Sequence, residues 1–307
     1  MTSQITPLDL EFRSGGDTCR GWFLPAARTG PAPCVVLAHG LGGTADSGLL
    51  PFAEAFAAAG FAAFAMDYRG FGRSGGGPRQ VVSTTRQQDD IRAAVAAVAA
   101  RPDVDADRVV LWGCSLAGGH ALEVAREPGG ATGIAAGIAA VIAVVPLVDG
   151  RAAAVAAARQ HRPGALLRST GTTVAAKAAA AMGRSEPLVP LVGPPGSTAV
   201  LSLDGYDQAY RSLAGPSWRN EIGGGVGAVL GSFRPGARAA ELAGTPVLFQ
   251  IADLDRSAPA HTAGTAAFAA RAEVRHYPGD HFDLFPGRAC HDLAVGHALH
   301  FLRRYVG

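Results

Sequence analysis

Six short apolar runs, each closed by a small or polar residue and separated by longer alanine-rich stretches, constrain this chain more than any other feature of it. They are CVVLAHG (Cys34–Gly40), FAAFAMD (Phe61–Asp67), RVVLWG (Arg108–Gly113), AAVIAVV (Ala139–Val145), PVLFQIA (Pro246–Ala252) and AEVRHYP (Ala272–Pro278). Each reads as a strand. Helical composition or spacing marks Glu54–Ala59, Thr85–Ala100, Leu116–Arg126, Ala260–Ala270 and Cys290–Arg304 between and after them. Strand and helix in alternation is the pattern of βα units around a mostly parallel sheet, so the expected class is α/β. LDLEF and CRGWFLP, near the start, add an opening antiparallel pair.

The rhythm breaks between Leu147 and Ala243. That stretch mixes an alanine-rich helix with the proline-glycine run PLVPLVGPPGS and the glycine-rich EIGGGVGAVLGS, which resemble neither strand repeats nor a flexible linker. Residues 147–243 are therefore expected to form an insertion folded over the sheet, a cap, on a core built from residues 1–146 and 244–307.

Composition narrows the function. A chain of 307 residues with 48% hydrophobic content buries a sizeable core, as one large domain or two small ones. Charged residues make up only 17%, and the net charge of +2 gives no field to recruit nucleic acid or an acidic membrane surface. A small-molecule substrate is the expectation that follows. Cys19, Cys34, Cys114 and Cys290 have no metal-ligand spacing and are too sparse for a disulfide framework, which fits a reducing cytoplasm. The start, MTSQITPLDLEFRSGG, lacks a basic segment followed by an apolar core, so no secretory signal is read there. GIAAGIAAVIAVVP (Gly133–Pro146) is short for a membrane span and ends in proline; it reads as a loop and a buried strand. The expected location is cytoplasmic, with no membrane partner, and nothing in the sequence fixes the oligomeric state.

Chemistry concentrates in VVLWGCSLAGGH (Val109–His120), where a serine stands between small residues as a strand gives way to a helix. A hydroxyl is a poor nucleophile unless a base takes its proton and the developing charge is stabilised. A sharp turn at a strand's C-terminal end would hold Ser115 out for both, with Gly113 permitting the strained turn and Ala117, Gly118 and Gly119 allowing close approach of helix and strand. A helix N-cap serine is the plainer alternative. GFGRSG (Gly70–Gly75) fits G-x-G-x-x-G, but no helix with a partner carboxylate follows at once, so a dinucleotide site is not expected.

Gly113-Cys114-Ser115-Leu116-Ala117 resembles the G-x-S-x-G nucleophile motif of the α/β-hydrolase superfamily, with alanine in the place of the last glycine. Two further stretches resemble the same family: VVLAHGLGG, a strand running into His39-Gly40, and MDYRGFGRSGGGPRQ (Met66–Gln80), its Asp-x-Arg-Gly-x-Gly-x-Ser signature. The likeness covers roughly Pro33–Gly150 and Gly244–Gly307 and is nearest to dienelactone-hydrolase-like and X-prolyl-peptidase-like members. It implies an α/β-hydrolase fold with Ser115 as nucleophile and the amides of Leu41 and Leu116 as oxyanion hole. Asp67 and Arg69 would brace the neighbouring loop, and His39 is read as bracing its own loop. Among nine histidines the resemblance points to His281, in the loop after the last strand, as general base. His276 lies inside a strand, and His291, His297 and His300 in the final helix. PVLFQIADLDRSAP (Pro246–Pro259) offers Asp255 as the acid that orients the histidine, with Asp253 as rival. The order Ser115, Asp255, His281 is that of the family.

The resemblance further implies that the insertion overhangs the site. Tyr206, Tyr210, Trp218, Phe233 and His161 are candidates to line a substrate pocket there, although aromatic side chains also bury as core. The expected function is a serine hydrolase that cleaves a carboxylic ester or thioester of a small hydrophobic substrate through an acyl-enzyme on Ser115. Peptidase, amidase or lactonase activity, acyl transfer, and lyase or cyclase use of the same fold stay open. No cofactor is expected, and no His/Asp/Glu cluster suggests a metal.

Overall fold

The computed structural model describes residues 6–127, 137–160, 176, 178–179, 182, 184–242 and 244–307. Its strands are β1 (Leu8–Ser14), β2 (Asp17–Leu24), β3 (Ala32–Ala38), β4 (Ala62–Met66), β5 (Val104–Cys114), β6 (Ala140–Val144), β7 (Leu188–Val189), β8 (Ile222–Gly223), β9 (Val247–Ala252) and β10 (Glu273–Tyr277). Its helices are α1 (Leu50–Ala58), α2 (Thr84–Ala99), α3 (Leu116–Ala125), α4 (Gly150–Gln160), α5 (Tyr206–Leu213), α6 (Val226–Ser232), α7 (Ala260–Ala269) and α8 (His291–Tyr305).

Eight strands form one sheet in the order β1-β2-β4-β3-β5-β6-β9-β10. β1 and β2 are antiparallel, β2 runs antiparallel to β4, and every later pairing is parallel. Every residue of β3, β4, β6 and β9 is buried. Continuous apolar runs are what a strand needs when helices cover both of its faces. This is the α/β-hydrolase fold that the sequence resemblance implied.

Two boundaries differ from the sequence reading. α1 starts at Leu50, ahead of the expected Glu54, because Pro51 sits in its first turn, where a missing N–H costs nothing. β5 starts at Val104, ahead of Arg108, because its first residue pairs with Ala32 across an irregularity in the β3–β5 ladder.

Register decides where loops emerge. Ala38 pairs with Gly113, Cys114 with Val144, Val144 with Gln250, and Ala252 with Tyr277. The C-terminal ends of β3, β5, β9 and β10 therefore share one edge of the sheet, and the loops carrying His39, Ser115, Asp255 and His281 all leave from it.

The stretch between β6 and β9 contains α4, the β7–β8 pair, α5, α6 and a 3₁₀ turn at Pro235–Leu242. Its glycine-rich segment is ordered by close packing. A Cβ at Gly223 would lie 2.6 Å from the carboxyl carbon of Glu186, whose Oε2 accepts the Gly225 amide at 2.7 Å. Among the described residues no helix is long and apolar enough to cross a membrane.

Candidate active site

Ser115 has φ 54° and ψ −120°, a conformation that L residues avoid and that persists only when the surroundings over-determine it. The surroundings do so through the backbone. The Ser115 amide donates to Val144 O at 2.9 Å, and its carbonyl accepts the amides of Leu147 at 2.9 Å and Gly118 at 3.0 Å. Gly113 has to be glycine, since a Cβ there would sit 2.2 Å from Ala117 O. Ala117, in the place of the family's last glycine, is fully buried in the core.

The elbow places Ser115 against His281 and, through it, Asp255. Ser115 Oγ lies 3.0 Å from His281 Nε2, and His281 Nδ1 lies 2.7 Å from Asp255 Oδ2. The second carboxylate oxygen of Asp255 accepts the amides of Ser257 at 2.8 Å and Ala258 at 2.7 Å, which locks the carboxylate. A carboxylate on Nδ1 requires the proton there and leaves Nε2 free to take the serine proton. Burial disfavours the imidazolium, but the charge and hydrogen bond of Asp255, with the charge of Asp280, outweigh it and hold the His281 pKa above its usual value. Asp253 takes no part: its carboxylate pairs with His276 at 2.6 Å on the surface, both side chains about half exposed.

Asp280 was not singled out in the sequence. Its Oδ1 accepts the His281 amide at 2.7 Å, the Arg256 amide at 2.9 Å and Tyr206 Oη at 2.9 Å, and Oδ2 pairs with Arg256 Nε. Burial would raise its pKa, yet these donors hold it below the usual value. One carboxylate thus ties the base loop, the acid loop and α5 together. The only hint in the sequence was its place immediately before His281.

The loop after β3 is set in part by His39. His39 Nδ1 donates to Gly40 O at 3.0 Å, and the Gly43 amide reaches the same carbonyl at 3.2 Å. In a trans peptide N–H and C=O point in opposite directions, so fixing Gly40 O also fixes the direction of the Leu41 N–H. Tyr210 Oη donates to Leu41 O at 2.8 Å and secures the following peptide. Leu116 is the first residue of α3, where the amide has no intrahelical acceptor. Gly40 lies against Ser115: a Cβ there would be 3.0 Å from Ser115 Cβ. Asp67 ties the neighbouring loops by accepting the amides of Ala45 at 2.7 Å and Arg73 at 3.0 Å, while the Arg69 amide donates to Asp90 at 2.9 Å.

Burial lowers the His39 pKa to about 4, against the hydrogen bond to Gly40 and the charge of Asp46. Burial, then the neighbouring His39, lowers that of His120 to about 3. His120 lies 3.0 Å from Gln87 Oε1 and is wholly buried. Because its folded pKa lies below the unfolded value, the unfolded chain takes the proton first. The stability it contributes is complete above about pH 6.5 and is lost as pH falls toward 3. His120→Gln, compared with the parent by urea unfolding, should therefore show a stability gap that narrows by about 3 kcal/mol between pH 7 and pH 4. A gap independent of pH would mean that His120 does not resist protonation.

A cavity of about 470 Å³ opens above Ser115 and His281, lined by Leu41, Leu116 and Leu147, by residues 199–203, and by the facing sides of α4 and α6. The aromatic candidates for its lining lie elsewhere. Tyr210 stacks on Trp218 at 5.5 Å and meets Phe282 edge-on, Tyr206 points its hydroxyl at Asp280, and Phe233 packs on His120 at 4.8 Å. These rings pin the insert to the core, and the tyrosine hydroxyls are spent on internal acceptors, so none of the four lines the cavity. His161 lies outside the described residues. Among the described residues no three His, Cys, Asp or Glu side chains converge to hold a metal ion.

The family described as Serine aminopeptidase, S33 matches residues 29–188. The chain belongs to this family of α/β-hydrolases. Quorum-quenching protein AidA of Acinetobacter baumannii is 32% identical to this S33-family chain over 303 residues, 98% of this chain and 95% of that protein. Thiohydrolase apmlB of Arthrinium phaeospermum is 34% identical over 117 residues, 38% of each chain. The crystal structure of the α/β-hydrolase GrgF from Penicillium sp. sh18 superposes with a TM-score of 0.79 at 23% identity, covering 98% of this chain and 99% of that one.

Proposed function

We propose that this S33-family hydrolase cleaves carboxylic esters or thioesters of an apolar acyl group through an acyl-enzyme on Ser115, with residues 147–243 serving as a cap over the 1–146 and 244–307 core. The observation that carries the reading is the unbroken relay from Ser115 Oγ to His281 Nε2 at 3.0 Å and from His281 Nδ1 to Asp255 at 2.7 Å, at the floor of a largely apolar cavity. His281 takes the proton as Ser115 Oγ attacks the acyl carbon, and the Leu41 and Leu116 amides hold the oxyanion. The tetrahedral intermediate collapses as His281 returns the proton to the leaving oxygen or sulfur. Water, deprotonated by the same imidazole, then releases the acid. A preorganised amide of this kind is worth about 3–4 kcal/mol of transition-state stabilisation.

Acyl transfer to an acceptor other than water is a second reading. It is favoured by the largely apolar walls, which would limit water near an acyl-enzyme, and by likeness to Polyketide transferase ATR5 of Stachybotrys chlorohalonatus, 34% identical over 113 residues, 36% of this chain and 37% of that protein. A fluorophosphonate probe followed by intact-mass measurement tests the shared step. One adduct on Ser115, with turnover of matched oxygen and thio esters, is the expected result; folded protein that stays unlabelled would refute it. Added alcohol or amine acceptors then separate hydrolysis from transfer by the product formed.

A further inference from the structure

The cavity over Ser115 extends between α4 and α6, and the space there is made by missing side chains. The two helices are pinned at one end so tightly that only glycine fits. The Gly150 amide donates to Phe233 O at 2.9 Å, and a Cβ at Gly150 would lie 1.6 Å from Leu230 O. Away from that joint much of the wall is small: Ala153 and Ala157, one turn apart on α4, and Gly227 and Gly231, one turn apart on α6 beside Val226 and Leu230, all border the cavity. A Cβ built at Gly227, which is exposed at the open side, or at the half-buried Gly231 would meet nothing among the described residues within 4 Å, and neither residue has a positive φ that would demand glycine.

Nothing in the backbone explains these glycines. Glycine inside a helix is less stable than alanine, and unfilled apolar space forfeits dispersion contacts that larger side chains would supply. The α4 and α6 walls carry no charge. Among the described residues, the ionic side chain in the lining besides His281 is Arg256, held by Asp280 at the catalytic end. Whatever occupies the far part is therefore apolar and is joined to a group that reaches Ser115.

We propose that the cleft between α4 and α6 binds the aliphatic chain of the acyl group, so that the substrate is a medium- or long-chain acyl ester or thioester, with Gly227 and Gly231 setting the chain length admitted. This rests on the reading of Ser115 as the acylated nucleophile. Each methylene laid into the cleft should raise kcat/KM about fourfold until the space is filled.

The test is a series of p-nitrophenyl esters from acetate to decanoate. In the unaltered protein kcat/KM should climb along the series. In Gly231→Val and Gly227→Val the decanoate-to-acetate ratio should fall at least tenfold, while Ala228→Val, on the outward side of α6, keeps the ratio. A flat series, or folded glycine variants with the parental ratio, overturns the cleft assignment and leaves Ser115 untouched. If no ester is turned over, the nucleophile reading fails instead, and calorimetry decides on the cleft. Decanoate binding much more tightly than butyrate, with the preference lost in Gly231→Val, supports it; equal binding, or a preference untouched by the substitution, overturns it.

Discussion

Ser115→Ala should lower kcat on any substrate the protein turns over by about five to six orders of magnitude, the loss seen when the nucleophile of such a relay is removed. KM should change little, because the walls of the cavity remain. The fold should survive, since the strained Ser115 conformation is held by backbone bonds to Val144, Leu147 and Gly118, which alanine keeps. Ser115 Oγ has His281 as its hydrogen-bond partner among the described residues, so little stability is at stake. Steady-state kinetics read beside a thermal melt check the prediction. A variant that melts like the parent and keeps more than a hundredth of its rate would show that another nucleophile carries the reaction.

The chain's own sequence disclosed the frame of the site because strand ends leave a strong local signal. Apolar runs that stop at His39-Gly40, at Gly113-Cys114-Ser115 and at Ala252-Asp253 mark the loops of one sheet edge, and the observed register places them side by side. The choice between Asp253 and Asp255 was not legible, because both stand in the same short loop. It turns on which carboxylate folds inward: Asp255 receives two backbone amides, whereas Asp253 meets His276 at the surface.

The walls of the cavity were the least legible part. Aromatic residues draw attention in a sequence, but Tyr206, Tyr210, Trp218 and Phe233 are consumed in joining the insert to the core. Between α4 and α6 the cavity is bordered in large part by alanines and glycines, which on the proposed reading matter for the volume they leave empty. No periodicity or motif encodes an absence of side chain, so that property appears only once α4 and α6 have been brought face to face. Asp280 was hidden for a related reason. Its four donors come from residues 206, 256 and 281, and no local pattern announces that convergence.

Asp255→Asn is the second large effect and also tests the electrostatics of the relay. The substitution should cost about four orders of magnitude in kcat. An amide on Nδ1 offers a donor where the carboxylate accepted, which favours the tautomer carrying its proton on Nε2, and that nitrogen can no longer receive the proton of Ser115. The residual activity should have a shifted pH profile. In the parent, burial works against the imidazolium of His281, and the charges of Asp255 and Asp280 overcome it. With Asp255 neutral, burial is opposed by the charge of Asp280, itself partly offset by its partner Arg256, so the His281 pKa falls and the acid limb of kcat/KM moves to lower pH. Asp253→Asn should leave both rate and limb within about twofold of the parent, since its half-exposed surface pair with His276 is screened by solvent. Each variant replaces one carboxylate oxygen by an amide nitrogen, at positions two residues apart in the same loop. If Asp253→Asn produced the larger loss, or if Asp255→Asn lowered the rate without moving the limb, the inward carboxylate would not be the group that orients and charges the base.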